Sequence, residues 1–262
     1  MTDLEPRIDL EVDGAVATLT LSGRAGRNAM DLAFVQQLDE LTARVRHLAD
    51  AREVRVVVLR ARGRHFCVGG DLADFAAAPD IGAHMTTMTA HAHRGVAALH
   101  DLPVPLVVAV HGASAGAAIG LALAGDVVVA ERSATFVGAY AAAGLTPDAG
   151  VSWGLARAIG RARATDVVLT NRRVTATEME QWGLVTRLVD DGGLDAEVEQ
   201  VVAALVAVRH DVLVENKRLL RTGSEVGLHE RLDDEAATIA RVAGGDKQAS
   251  AGGSNQTSGV TA

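Results

Sequence analysis

Cysteine is nearly absent from this 262-residue chain: Cys67 stands alone, so no intrachain disulfide can form. The fold must be held by its core, and the thiol usage fits a reducing compartment, so the chain is expected in the cytoplasm. The opening stretch, MTDLEPRIDLEVDG, lacks the basic-then-apolar pattern of a secretion signal. Positive charge is also short, with 25 Lys and Arg against 33 Asp and Glu and a formal net charge of −8. That balance argues against a nucleic-acid surface. Aromatic side chains make up only 3% of residues, which is poor material for a pocket built to grip an aromatic ring. Only residues 102–130, almost uncharged, are long enough to span a bilayer. Pro103 and Pro105 stand at the start of that run, Gly112, Gly116, Gly120 and Gly125 cut it into short pieces, and no basic flank fixes an orientation. It reads as a buried strand–helix–strand unit, and no membrane partner is expected.

Apolar residues are plentiful, at 48%, enough for one sizeable core. Residues 8–12 and 15–21 read as two strands around a turn at Asp13-Gly14. Asp31 is placed to cap a helix whose stripe is Leu32, Val35, Leu38, Leu41, Val45 and Leu48. Residues 54–59 form a β-branched strand, 84–100 a helix, 105–110 a strand, 116–123 a helix and 126–130 a strand. Beyond about 149 the pattern is helical, except for a short strand at 184–189. Strands alternating with helices indicate an α/β fold. Residues 1–190 read as the core, 191–242 as a helical region, and 243–262, small and polar, as a disordered tail.

Two stretches share one design. FCVGGDL (66–72) and HGASAGAAIG (111–120) each run from a strand end through small residues into a helix start. Backbone N–H groups at a helix start have no intrahelical partner, and glycine lets a ligand approach them closely. Two such starts facing one point would make an oxyanion hole. GASAGAAIG matches neither a GK[ST] phosphate loop nor GxGxxG, so it carries little nucleotide signal. Histidines 84, 91, 93 and 100 share one segment, yet none are paired four apart, and no metal site is expected.

The ordered blocks RAGRNAM (24–30), FCVGGDL, PLVVAVHGASAGAAIGLALAGDVVVA (105–130), GLTPDAGVSWGLARAIG (144–160) and EQWGLVTRLV (180–189) resemble the crotonase, or enoyl-CoA hydratase/isomerase, superfamily. The resemblance covers roughly residues 5–240. It implies a crotonase-type spiral of ββα turns with a C-terminal helical layer in which 191–242 serves trimerisation. It also implies a homotrimer or dimer of trimers and an acyl-CoA thioester substrate. No separate cofactor is implied, because coenzyme A is part of the substrate. By resemblance the N–H groups of Gly70 and Ala117 polarise the thioester carbonyl. Many members carry glycine where this chain has Ala117, and a backbone donor survives that change if φ stays negative. Val68, Asp71, Leu72, Gly116 and Tyr140 are expected around the substrate. Arg24 and Arg27 are expected near the CoA phosphates, with Lys217 as a further candidate.

The family's hydratases use two glutamates, and here the matching positions are Gly120 and Tyr140, so standard hydration is in doubt. Asp148, in GLTPD, matches the proton-transferring aspartate of a subgroup of acyl-CoA isomerases. Read from the residues alone, Asp148 is equally a helix N-cap; partly desolvated in a pocket, it is a candidate base. The resemblance therefore favours double-bond isomerisation of an enoyl-CoA. Two alternatives stay open. One is hydrolysis like that of the 4-chlorobenzoyl-CoA dehalogenases, with Asp148 as nucleophile and His93 as base. The other is a hydratase or a catalytically silent acyl-CoA-binding member.

Overall fold

The computed structural model describes residues 6–223 and 226–251. Strands β1 (Ile8–Asp13) and β2 (Val16–Leu21) form a hairpin, antiparallel from Ile8 opposite Leu21 to Asp13 opposite Val16. A single 3-10 turn at Arg24–Gly26 leads to helix α1 (Leu32–Asp50). Asp31 caps α1 as expected, its carboxylate accepting from Phe34 N–H at 2.8 Å. The buried face of α1 is Phe34, Val35, Leu38, Thr42, Val45 and Ala49, so the predicted stripe is rotated partly toward Phe34. Strand β3 (Val56–Ala61) is followed by the short helix α2 (Leu72–Ala77) and the long helix α3 (Ile81–His100).

The chain then repeats a unit. Strand β4 (Leu106–Val110), short strand β5 (Ala113–Ala115) and helix α4 (Ala117–Leu123) come first. Strands β6 (Val127–Glu131) and β7 (Thr135–Val137) follow, then helices α5 (Val151–Ile159) and α6 (Arg161–Thr170). Each repeat gives one long strand to a large sheet and one short strand to a small sheet. The 102–130 run is thus the buried strand–helix–strand unit that its glycines implied. Strand β8 (Arg173–Thr175), helix α7 (Ala176–Trp182), strand β9 (Arg187–Val189) and helix α8 (Leu194–Ala207) complete the unit. The large sheet has the order β1-β2-β3-β4-β6-β9 and is parallel from β2 onward; the small sheet is β5-β7-β8.

One face of the large sheet packs on α8: Val56, Val58, Val107, Ala109 and Val129 are buried with Leu194, Val198 and Val201. This burial explains why the compact unit runs to Ala207 rather than stopping near 190. From Val208 a second unit begins, containing α9 (His210–Arg221) and α10 (Leu228–Ala251). Within it Arg218 reaches from α9 to both carboxylate oxygens of Asp234, at 2.8 and 2.9 Å, and to Thr238. The tail expected to be disordered from 243 is helical as far as Ala251, and 252–262 lie outside the described residues. Among the described residues, no helix is long and apolar enough to cross a membrane.

Candidate functional site

The two glycine-rich turns are fastened to each other by backbone. Cys67 N–H donates to the Ala113 carbonyl at 3.1 Å, and Ala115 N–H donates back to the Cys67 carbonyl at 3.0 Å. Gly69 sits so close to Ala115 that a Cβ there would lie 2.7 Å from the Ala115 oxygen, and its φ is +83°. Only glycine serves both needs. Gly116 has φ 55° and ψ −125° and aims the chain into α4, whose first residue is Ala117. Ala117 itself does not have positive φ, so alanine costs the backbone nothing there. Neither Gly70 N–H nor Ala117 N–H has a protein acceptor among the described residues. Both residues line one cavity of about 420 Å³.

That cavity is walled by apolar side chains, chiefly Met30, Val35, Phe75, Met85 and Met88, and Asp148 is its sole charged residue. Helix α5 starts at Val151 with Gly150 as its N-cap, so the Asp148 side chain is not spent as a cap. Instead, the Tyr140 hydroxyl donates to Asp148 Oδ1 at 2.9 Å. The intervening loop is closed by Leu145 N–H donating to the Tyr140 carbonyl at 2.9 Å, with Gly144 left-handed. Burial pushes the Tyr140 phenol well above its ordinary pKa, and the neighbouring Asp148 charge pushes it further. The phenol therefore stays a donor at any working pH.

The carboxyl side of Asp148 is equally constrained. Ala149 is left-handed, with φ 49°. Its N–H donates to His93 Nε2 at 3.2 Å. Its carbonyl lies 2.1 Å from where a Cβ on Gly120 would be. No side chain, and certainly no glutamate, fits at 120 in this arrangement. Asp148 also borders a second cavity, of about 400 Å³, whose walls include His93, His100, Gly120, Ser152 and Trp153. His93 lines this second cavity rather than the first.

The pattern of the Enoyl-CoA hydratase/isomerase family matches residues 11–251. The chain belongs to that family. It is 36% identical over 199 residues to 1,2-epoxyphenylacetyl-CoA isomerase of Escherichia coli (strain K12), covering 74% of each chain. It is 28% identical over 234 residues to 4-chlorobenzoyl coenzyme A dehalogenase-2 of an Arthrobacter species, covering 88% of this chain and 84% of that one. Among solved structures, a putative enoyl-CoA hydratase/isomerase from Mycobacterium abscessus superposes with a TM-score of 0.84 at 33% identity, covering 90% of this chain and 91% of that one. The fold is the crotonase fold.

Against the family pattern, the predicted residues divide. Gly70, Ala117, Val68, Leu72, Gly116, Tyr140 and Asp148 all line the first cavity. Asp71 does not; its carboxylate caps α2, accepting from Ala73 N–H at 2.9 Å and Asp74 N–H at 3.4 Å. Asp71 is thus spent on the helix that follows the turn. Arg24 and Arg27 are exposed on the 3-10 turn and are not cavity walls. Their segment is tied to the site by backbone, through Val68 N–H donating to the Arg27 carbonyl at 3.2 Å. Lys217 lies on α9 in the second unit. Sequence reasoning missed three parts of the site. These are the Tyr140–Asp148 hydrogen bond, the Phe75, Met85 and Met88 wall, and Asn28. The signal for the wall was present, since Met85, Met88 and Ala92 recur at helical spacing. Asn28, fully buried, accepts from Gly23 N–H at 2.7 Å and donates to the carbonyls of Arg62, His65 and Phe66.

Proposed function

We propose that this family member isomerises an enoyl-CoA, shifting the double bond by proton transfer through Asp148. One observation carries the reading. Asp148 is the single carboxylate on the cavity that Gly70 and Ala117 line, and the first glutamate position of the hydratases, 120, has no room for a side chain. In the proposed step an Asp148 oxygen takes a proton from an activated carbon of the acyl group. The electron pair moves into the thioester carbonyl, and the two N–H groups hold the resulting enolate oxygen. The same carboxyl returns the proton two carbons away as the carbonyl re-forms. One base serves both transfers, so the second glutamate of the hydratases, replaced by Tyr140, is not needed.

The Escherichia coli relative, an isomerase by name, supports the reaction class. The test compares 3-enoyl-CoA, crotonyl-CoA and 4-chlorobenzoyl-CoA. Isomerisation of the first is expected, with Asp148→Asn slower by about 10²–10⁴-fold. Fast hydration of crotonyl-CoA by the native protein, or full isomerase activity in Asp148→Asn, would overturn the reading. Thioester binding without any turnover would point to a silent member.

A second reading has its own observation. Asp148 also borders the cavity lined by His93, and a dehalogenase is among the relatives. There Asp148 would attack the aryl carbon, chloride would leave, and a water activated by His93 would cleave the aryl ester. His93 Nε2 already accepts the Ala149 N–H, so serving as base requires giving up that bond. His93→Ala releases the Ala149 N–H and should slow isomerisation far less than Asp148→Asn does. Loss of 4-chlorobenzoyl-CoA turnover with both Asp148→Asn and His93→Ala would favour this second reading.

A further inference from the structure

The family's second glutamate position holds Tyr140, the only tyrosine in the chain. It is buried, and its ring packs near Gly116, where a Cβ would lie 4.0 Å from ring carbons Cε1 and Cζ. Its backbone is fixed by two bonds to the loop that follows, from Ala143 N–H and Leu145 N–H, at 3.0 and 2.9 Å. The hydroxyl has one strong acceptor, Asp148 Oδ1 at 2.9 Å, and one weaker, the Asp148 carbonyl at 3.4 Å. Asp148 Oδ2 has no protein partner among the described residues. A free carboxylate rotates, whereas one oxygen held by a buried donor fixes where the other points.

We propose that Tyr140 is a positioning residue, whose hydroxyl pins Asp148 Oδ1 so that Oδ2 is the oxygen that takes and returns the substrate proton. This rests on Asp148 acting as the base. It explains what occupies the vacated glutamate position: a donor that orients the remaining carboxylate, in place of a second carboxylate that would repel it. Of the titratable groups, Asp148 alone acts on the phenol, and every other wall of the first cavity is uncharged.

The test has a kinetic arm and a substrate-free arm. With 3-enoyl-CoA, Tyr140→Phe should lower kcat roughly tenfold or more with KM unchanged, the size of a lost hydrogen bond to a charged group. Adding Tyr140→Phe to Asp148→Asn should cost nothing further, because the tyrosine acts through the aspartate. An unchanged kcat in Tyr140→Phe, a loss confined to KM, or additive losses in the double variant would each overturn the proposal. In the substrate-free arm, thermal unfolding reads the contact through a double-variant cycle of Tyr140→Phe and Asp148→Ala. The two losses should be less than additive, because either variant alone breaks the same hydrogen bond. Fully additive losses would refute the contact. This arm holds whether or not Asp148 is the base, so failure of the base reading, seen as full activity in Asp148→Asn, is distinguishable from failure of the Tyr140 contact.

Discussion

Replacing Gly120 by alanine adds one methyl group to the middle of α4. In an exposed helix that change stabilises by about 1 kcal/mol, because glycine is the poorer helix former. Here the new Cβ would sit 2.1 Å from the Ala149 carbonyl oxygen and 3.0 Å from the Ala149 Cβ. An ordinary carbon–oxygen contact is about 3.3 Å, so roughly 1 Å must be yielded. The loop has little slack to give, since Ala149 is already left-handed and its N–H is committed to His93. Overpacking of this kind costs about 3 kcal/mol at the upper end of its usual range. The net expectation is a loss of about 2 kcal/mol, or roughly 4–8 °C in melting temperature for a domain of this size. Activity should fall further than stability, because Asp148 is the next residue and a misplacement of about 1 Å can cost on the order of 100-fold. The assay is thermal unfolding followed by circular dichroism, with initial rates on 3-enoyl-CoA at a temperature where both proteins are folded. Gly120→Ala with an equal or higher melting temperature and a native rate would refute the argument that the loop at 148–150 closes this position. Gly120→Glu should likewise fail to gain crotonyl-CoA hydration.

Two other perturbations probe the scaffold around the donors. Asn28→Ala should lower stability by about 3 kcal/mol, read as a reduced urea midpoint, because it strands the buried Gly23 N–H and removes the two amide protons that Asn28 shares among three carbonyls. Cys67 is fully buried, and burial pushes its thiol from 9.0 up to about 12. The unfolded thiol ionises first, so this group leaves stability untouched below pH 9 and erodes it as pH rises from 9 toward about 12. Alkylation near pH 8, followed by mass spectrometry, should label Cys67 only in denaturant, and rapid labelling of the native protein would contradict that burial.

The legible parts of this molecule are those where periodicity and burial coincide. The strands at β2, β3, β4 and β6 are β-branched runs buried on both faces, and residues alone locate them. The short strands β5, β7 and β8 have three residues each, too few to establish a period. They exist because they pair with one another across the repeat. The helix beyond 243 was hidden by its small polar composition. At the candidate site, glycine spacing picked out the turns at 66–72 and 111–120, and the family resemblance picked out Asp148. The choice between Asp148 as cap and as cavity residue needed coordinates, because it depends on whether the helix starts at Ala149 or at Val151. The partnership of Tyr140 with Asp148 was equally invisible, since two residues eight apart in an irregular loop have no spacing rule.

The backbone pairing of Cys67 with Ala113 and Ala115 has a consequence for how this site can change. Because backbone pairs fasten one turn to the other, neither donor can be retuned alone; a shift at 67–70 drags 113–117 with it. Differences in chemistry are therefore carried by what surrounds the two turns, at 120 and along 140–149, where one loop carries both Tyr140 and Asp148. In the proposed reaction the fastened turns hold the thioester, and the 140–149 loop decides what becomes of the acyl group.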